Sequence, residues 1–388
     1  MRPSDRIAGI NGGGSDGWEV LYQARDLRRA GDQVLDLTIG DHDWTTPGVL
    51  IDAMTASARK GQTGYAPITG YDALRSAIAE RVVTRTGVPT GLQNVIVVQG
   101  GQAGLFASMM ATLDPGDRAL VMDPYYATYP GTIRAASGIP EIVPTRAEAG
   151  FQPQAADLAA AAPAKSILIN SPNNPSGSCY TPETMATLAR FAIERDMWVI
   201  SDEVYEGQVW NGTHLTARAI PGLRDRTLVI GSLSKSHVMT GWRLGWIVGP
   251  PDMISAFCDL ATNTTYGVPG FIQDAALTAL TEDHGIEDET AAKYRTRRRA
   301  TFDVLAGQNS VQAAASDGGM YVMLDIRSTG LSGQSFAQAL LAKHRVAVMP
   351  GESFGTACAG HVRVALTRPA NELTQAITTI SKFAEETR

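Results

Sequence analysis

Short apolar runs recur along the chain, each bounded by turn residues. Val95–Val98, Ala119–Met122, Ser166–Asn170, Trp198–Ser201, Leu228–Ile230 and Leu244–Val248 read as strands, with a shorter one at Val34–Leu37. Longer segments of mixed polarity lie between them. Their spacing predicts helices at Trp18–Ala30, Pro47–Arg59, Tyr71–Thr84, Ala103–Leu113, Ala155–Ala162, Pro182–Arg195, Asp252–Thr262 and Phe271–Thr281. The pattern changes near Glu282-Asp283-His284-Gly285. A long polar helix through Tyr294–Arg299 follows, its arginines expected on a solvated face. Beyond it comes a smaller α+β unit with strands at Gly318–Leu324, Val346–Val348 and His361–Leu366 and a helix at Ser335–Lys343. Residues 1–17 are rich in Gly and Ser and read as a mobile lead-in.

Length and charge narrow the classes. A chain of 388 residues fits two domains with ample core. A net charge of -6 argues against nucleic acid and anionic membrane as partners. The three cysteines (Cys179, Cys258, Cys358) form no metal pattern and suggest a reducing, cytoplasmic compartment. The six histidines show no ligand spacing, so no metal is expected. Met1-Arg2-Pro3-Ser4-Asp5 offers no apolar stretch, so no signal peptide is expected, and no run approaches the ~18 apolar residues that span a bilayer.

The chemistry concentrates in residues 227–249. A strand stops at Gly231-Ser232-Leu233-Ser234, Lys235 follows, and Arg243 precedes a second strand. A fixed amine can form an imine with an aldehyde. Small hydroxyls and an arginine can hold a phosphate. An aldehyde on a phosphorylated ring is pyridoxal phosphate. Other segments fit such a ligand, although each alone is equally a plain turn, cap or core residue. Gly40 ends a strand where a ligand can approach the backbone. Gly100-Gly101-Gln102 opens a helix whose free N–H groups and dipole favour an anion. Tyr126 is one of three tyrosines in a post-strand loop that can cover a flat ring. Asn174 sits in a proline-fixed loop, and Asp202 and Tyr205 follow a strand at its carboxyl end. Asp202, held anionic there, can keep a pyridine nitrogen protonated. Arg363, in the middle of an apolar strand, needs an anion.

Taken in order, Ser232-x-Ser234-Lys235 with Gly241-x-Arg243-Leu244-Gly245, the Gly40–Pro47 segment, Pro124-Tyr125-Tyr126 with Tyr129-Pro130, Asn173-Asn174-Pro175-Ser176-Gly177 and Arg363 resemble the class I/II aminotransferases. These are pyridoxal 5'-phosphate enzymes of fold type I, similar to aspartate aminotransferase. The resemblance runs from about Gly31 to Arg368. It departs at Trp44, where Phe is usual, at His42, where Pro is common, and at Ser171, where Asn is usual. It implies an α/β fold: a large α/β/α domain on a mostly parallel seven-stranded sheet, over residues 46–285, and a smaller α+β domain from both chain ends (1–45 and 286–388). It also implies roles. Lys235 holds the cofactor aldehyde. Gly101, Gln102, Ser232, Ser234 and Arg243 hold its phosphate, with Tyr65 of a partner subunit in a homodimer. Tyr126 covers the ring, Asn174 and Tyr205 meet its phenolate oxygen, and Arg363 with Gly40 and Asn174 binds the substrate carboxylate.

The activity implied is transfer of an amino group from an L-amino acid to a 2-oxo acid in two half-reactions, with aspartate, aromatic or alanine-type donors open. His42, His237 and Tyr266-Gly267-Val268 are further candidates for the pocket. A lyase or decarboxylase of the same fold and a non-catalytic cofactor-binding domain are the alternatives. Two other strings lack their context. Gly12-x-Gly14-x-x-Gly17 has no strand before it to form a dinucleotide site. Gly351-x-Ser353-x-Gly355 has no acid before His361 to complete a hydrolase triad.

Overall fold

The computed structural model describes residues 1–314 and 316–388. Its strands are β1 (Leu35–Asp36), β2 (Val95–Val98), β3 (Arg118–Asp123), β4 (Ile139–Pro144), β5 (Ser166–Asn170), β6 (Trp198–Asp202), β7 (Thr227–Ser232), β8 (Gly245–Val248), β9 (Gln312–Ala313), β10 (Tyr321–Asp325), β11 (Val346–Ala347), β12 (Met349–Pro350) and β13 (His361–Ala365). Seven of them form one sheet in the order β2-β8-β7-β6-β5-β3-β4. Pairing is parallel from β7 to β4, and β8 runs against both of its neighbours. Alternation along β3 shows why these runs are apolar throughout. Leu120 and Met122 enter one core cluster with Val143, Ile167 and Leu188, while Ala119 and Val121 enter another with Leu105, Ile230 and Phe257. A strand covered on both faces needs apolar residues at every position.

The second body of structure is a four-stranded antiparallel sheet, β12-β13-β10-β9, with the parallel pair β1-β11 beside it. Its core draws on both ends of the chain: Val20 and Leu37 pack with Phe336, Ile377 and Phe383. The Ala370–Glu386 helix, which the sequence reading did not single out, supplies the last two. Also unexpected were β4 and the Tyr129–Ala135 helix, whose Pro130 sits in the first turn, where a missing N–H costs nothing.

Two boundaries bear on the site. The helix expected from Ala103 begins at Gly100, so the glycines form its first turn. The loop expected at Lys235 contains a four-residue helix, Leu233–Ser236. The arginine cluster is not wholly solvated: Arg297 is buried, pairing with Asp43 at 2.8 Å and donating to Leu366 O. The lead-in is also tied down, with Arg134 donating to Ile10 O and Ser353 Oγ to Gly17 O. Ser353 lies in a short 3-10 turn, Gly351–Phe354, followed by a second one, Thr356–Cys358, and not at a strand-to-α-helix elbow.

Candidate active site

The carboxyl ends of β5, β6 and β7 bring Asn170, Asp202 and Ser232 to one edge of the sheet, where open α/β sheets meet their ligands. A cavity of about 380 Å³ opens there. Gly40, Gly101, Gln102, Tyr126, Asn174, Asp202, Tyr205, Ser232, Ser234, Lys235, Arg243 and Arg363 all line it. Tyr65 does not. It is 91% exposed and rests edge-on against Tyr266. His42, His237 and Tyr266-Gly267-Val268 are also outside the cavity wall, which corrects the expectation for them. His237 is buried against Ser236, and His42 turns toward Tyr294.

One end of the cavity is built for an anion. The Gly100–Thr112 helix has no side-chain cap, so its first N–H groups are free to point outward. Ser232 Oγ lies 2.9 Å from Ser234 Oγ. Arg243 takes a left-handed conformation (φ 54°) and lays its guanidinium against Gly100. A side chain at Gly100 would collide with it, and Gly100 itself has φ 80°. The left-handed Arg243 and the side-chain-free Gly100 together place one cation at the helix N-terminus.

Asp202 lies deeper. Its Oδ2 accepts a 2.7 Å hydrogen bond from Tyr129, and its Oδ1 accepts from Val204 N at 3.3 Å. Burial pushes its pKa up to about 6 even though both bonds favour the carboxylate. Tyr129 was missed in the sequence reading because the tyrosine-rich loop gave no sign of which ring would turn inward. Asn170 was missed too: its side chain donates to Asp202 O and accepts from Asn174 N, fixing both. Tyr126 covers the same corner, edge-on to Tyr129 at 5.7 Å, and burial pushes its pKa up to about 12.

At the far end Arg363 is 1% exposed, sandwiched between the rings of Tyr321 at 4.2 Å and Phe354 at 4.3 Å. Its guanidinium donates to Asn174 Oδ1 at 2.8 Å and to Thr38 O, while Nε has no partner. No carboxylate among the described residues pairs with it. Burial lowers its pKa. Lys235 Nζ stands between these ends, donating to Gly40 O at 2.6 Å. A side chain on Gly40 would strike the Tyr321 hydroxyl, so glycine is required for this approach.

Among the described residues one cluster has metal-like spacing: Glu203, Glu206 and His214, with ligand atoms within 4.8 Å. Its carboxylates are already occupied. Glu203 accepts from Ser201, Thr216 and Ala217 N and faces His214, and Glu206 accepts from Arg81.

The family model for aminotransferase class I and II matches residues 32–380. The chain is 40% identical to the arginine–pyruvate transaminase AruH of Pseudomonas aeruginosa, over all of this chain and 99% of the relative. It is 33% identical to the aspartate/prephenate aminotransferase of Thermus thermophilus, over 97% of this chain and 95% of that one. A solved double mutant of Thermus thermophilus aspartate aminotransferase superposes with a TM-score of 0.92 at 33% identity, covering 99% of this chain and all of that one. The fold and site therefore define a fold-type-I pyridoxal-phosphate enzyme. The chain belongs to the class I and II aminotransferases, and it is an aminotransferase. The donor set fits the cofactor. Hydroxyls, an arginine and a helix N-terminus suit its phosphate, a buried carboxylate its ring nitrogen, and an amine its aldehyde.

Proposed function

We propose that the enzyme transfers the amino group of an L-amino acid to a 2-oxo acid with the roles divided as follows. Arg363 carries the reading. A buried guanidinium with an unpartnered Nε and no carboxylate beside it is a costly arrangement unless a ligand supplies the anion. The substrate α-carboxylate is that anion, with Asn174 orienting the guanidinium and Gly40 lining the approach. Bound pyridoxal phosphate supplies an aldehyde that joins an amine and a ring that withdraws electrons from the substrate α-carbon. Lys235 Nζ is the amine that holds the aldehyde. Once free, it would move a proton from the substrate α-carbon to the cofactor's C4′ in the first half-reaction and from C4′ to the α-carbon of the new amino acid in the second. Asp202 holds a proton on the ring nitrogen, and Tyr205 and Asn174 orient the ring's phenolate oxygen. Gly101, Gln102, Ser232, Ser234 and Arg243 anchor the phosphate, and Tyr126 excludes water from the ring face.

The donor we favour is a basic amino acid, arginine first, with pyruvate as acceptor. The likeness to an arginine–pyruvate transaminase supports this. So does the charge around the cavity. Lys235, Arg243 and Arg363 each have a task, which leaves no lining cation of this chain for a second carboxylate, as an aspartate donor would need. Trp18, Gln102 and Arg243 line both the cavity and a wider cleft beside it, and that cleft carries three carboxylates, Asp16, Glu19 and Glu352, against two cations, Arg134 and Arg243. Carboxylates there suit a cationic side chain.

We further propose a homodimer in which the exposed Tyr65 reaches the partner's phosphate site, and a division into a large unit, 46–285, and a small one from both ends. No helix of the described residues is long and apolar enough to cross a membrane. The free thiols fit a cytoplasmic setting. The deciding experiment incubates the cofactor-loaded enzyme with single amino acids and no oxo acid. Stoichiometric release of the matching 2-oxo acid, fastest with arginine, is expected. Release of ammonia or carbon dioxide with repeated turnover would instead indicate a lyase or decarboxylase. Aspartate or an aromatic donor outpacing arginine would overturn the donor proposal alone.

A further inference from the structure

The helix that carries Lys235 is a single turn, Leu233–Ser236, closed by one backbone bond from His237 N to Leu233 O at 3.0 Å. A lone turn lacks the cooperative bonding that holds longer helices, so its orientation depends on side chains that grip it from outside. Ser232 Oγ caps it by accepting from Ser234 N at 3.1 Å. Gln208 Nε2 donates to Lys235 O at 3.3 Å. The third grip is His42, whose Nε2 lies 3.1 Å from Ser234 O.

His42 is held in turn from the other side. Its Nδ1 lies 3.0 Å from the hydroxyl of Tyr294, a fully buried residue of the Ile286–Leu305 helix, and Trp44 packs edge-on to the imidazole at 4.8 Å. A carbonyl only accepts, so Nε2 carries the hydrogen, and neutral Nδ1 accepts from the Tyr294 hydroxyl. Burial, followed by the nearby Lys235 charge, pulls the imidazole's pKa down to about 4, which keeps the ring neutral, while its two partners fix the tautomer. Asp41 and Asp43 beside it and Arg297 on the long helix are the other charges near the ring. The resulting relay runs from the Tyr294 hydroxyl through the imidazole to the peptide that precedes Lys235.

We infer that His42, gripped by Tyr294, is a positioning residue for the reacting lysine: it fixes the Ser234 carbonyl and so the direction in which the Lys235 side chain leaves its turn. The leverage is large. A tilt of about 10° at Cα moves an amine roughly 6 Å away by about 1 Å, and a misplacement of that size costs up to about a hundredfold in rate. The inference rests on the role proposed above for Lys235.

The test compares H42F, H42Q, Y294F and the double variant H42F/Y294F. Glutamine keeps an N–H donor for Ser234 O, and phenylalanine does not. In the cofactor-free protein, amide exchange in a peptide covering 232–239 is expected to speed up by about tenfold in H42F and Y294F and to stay near wild type in H42Q. In the loaded enzyme, kcat is expected to fall by about tenfold to a hundredfold in H42F while the donor's KM changes by less than about twofold. The double variant is expected to lose no more than H42F, as members of one relay do. Unchanged exchange, additive losses, or an H42Q no better than H42F would overturn the inference. Y294F removes only an oxygen and keeps the test available if H42F folds poorly. K235A separates the two readings, since retained turnover there would overturn the role of Lys235 whatever His42 does.

Discussion

Replacing Tyr129 by phenylalanine would remove a single oxygen from the buried base of the cavity and leave the ring in place. That oxygen donates to Asp202 Oδ2 at 2.7 Å. A hydrogen bond to a charged group contributes about 1.5 to 3 kcal/mol, equivalent to about one to two pH units. Burial has already lifted Asp202 to about 6, so the variant should titrate at about 7 to 8. At about pH 7.5 the wild-type carboxylate is ionised, while a large share of the variant's is protonated and cannot stabilise a positive ring nitrogen. The assay is the affinity of cofactor-free protein for pyridoxal phosphate across pH. The difference between the two proteins cancels the cofactor's own titrations. The variant's curve should be displaced upward by about one to two units and should rejoin the wild-type curve at high pH. Stability gives an independent reading. The native carboxyl binds its proton more tightly than the unfolded one, so cofactor-free protein loses stability as pH rises from about 4 through about 6. In the variant that loss should extend to about 8. Superimposable affinity and stability profiles would refute the reasoning, because they would mean the bond does not favour the ionised form.

Other outcomes follow from the same geometry. Lys235→Ala should abolish turnover, and multiple turnovers without added amine would contradict its role. Arg363→Ala should raise the donor's apparent KM by about a hundredfold, since a lost pairing with a buried guanidinium is worth about 3 kcal/mol; steady-state kinetics with several donors checks this. Arg81 holds Glu206 and Glu287 at 2.9 Å with little exposure, so Arg81→Ala should destabilise the fold by about 2 to 3 kcal/mol in denaturant titration, with Arg85 recovering part of the loss. Burial opposes ionisation of Glu287, but Arg81 and Arg85 outweigh it and hold the pKa at about 2. A depressed carboxylate stabilises fully above its unfolded value of about 4.5, and that stabilisation should fade as pH falls toward 2.

Much of the site could be read locally. The Lys235 turn, the Asp202 strand end and the glycines at 100–101 are short stretches whose chemistry depends on neighbours in the chain, and their spacing survives folding unchanged. Arg363 could be singled out because an arginine in an apolar strand calls for an anion, from a ligand or from a structural salt bridge, and sequence could not say which. Strand positions were also legible, since a strand buried on both faces shows as a continuous apolar run. Helix starts were less so. Glycine in a first turn looks like loop in sequence, and only the backbone path shows that the Gly100–Thr112 helix begins there.

What tertiary structure alone decided are the partners across elements. Periodicity tells which side chains share a face of one helix or strand, but not which distant element lies against that face. Tyr129 reaches Asp202 across 73 positions, Asn174 reaches Arg363 across 189, and His42 reaches Tyr294 across 252. Each contact joins elements far apart in the chain that packing brings together, which no local pattern encodes. The sequence by itself determined the chemical groups and the family they belong to. Packing determined which tyrosine tunes the aspartate, that His42 and His237 stay out of the cavity wall, and that Arg363 is buried with no carboxylate partner among the described residues.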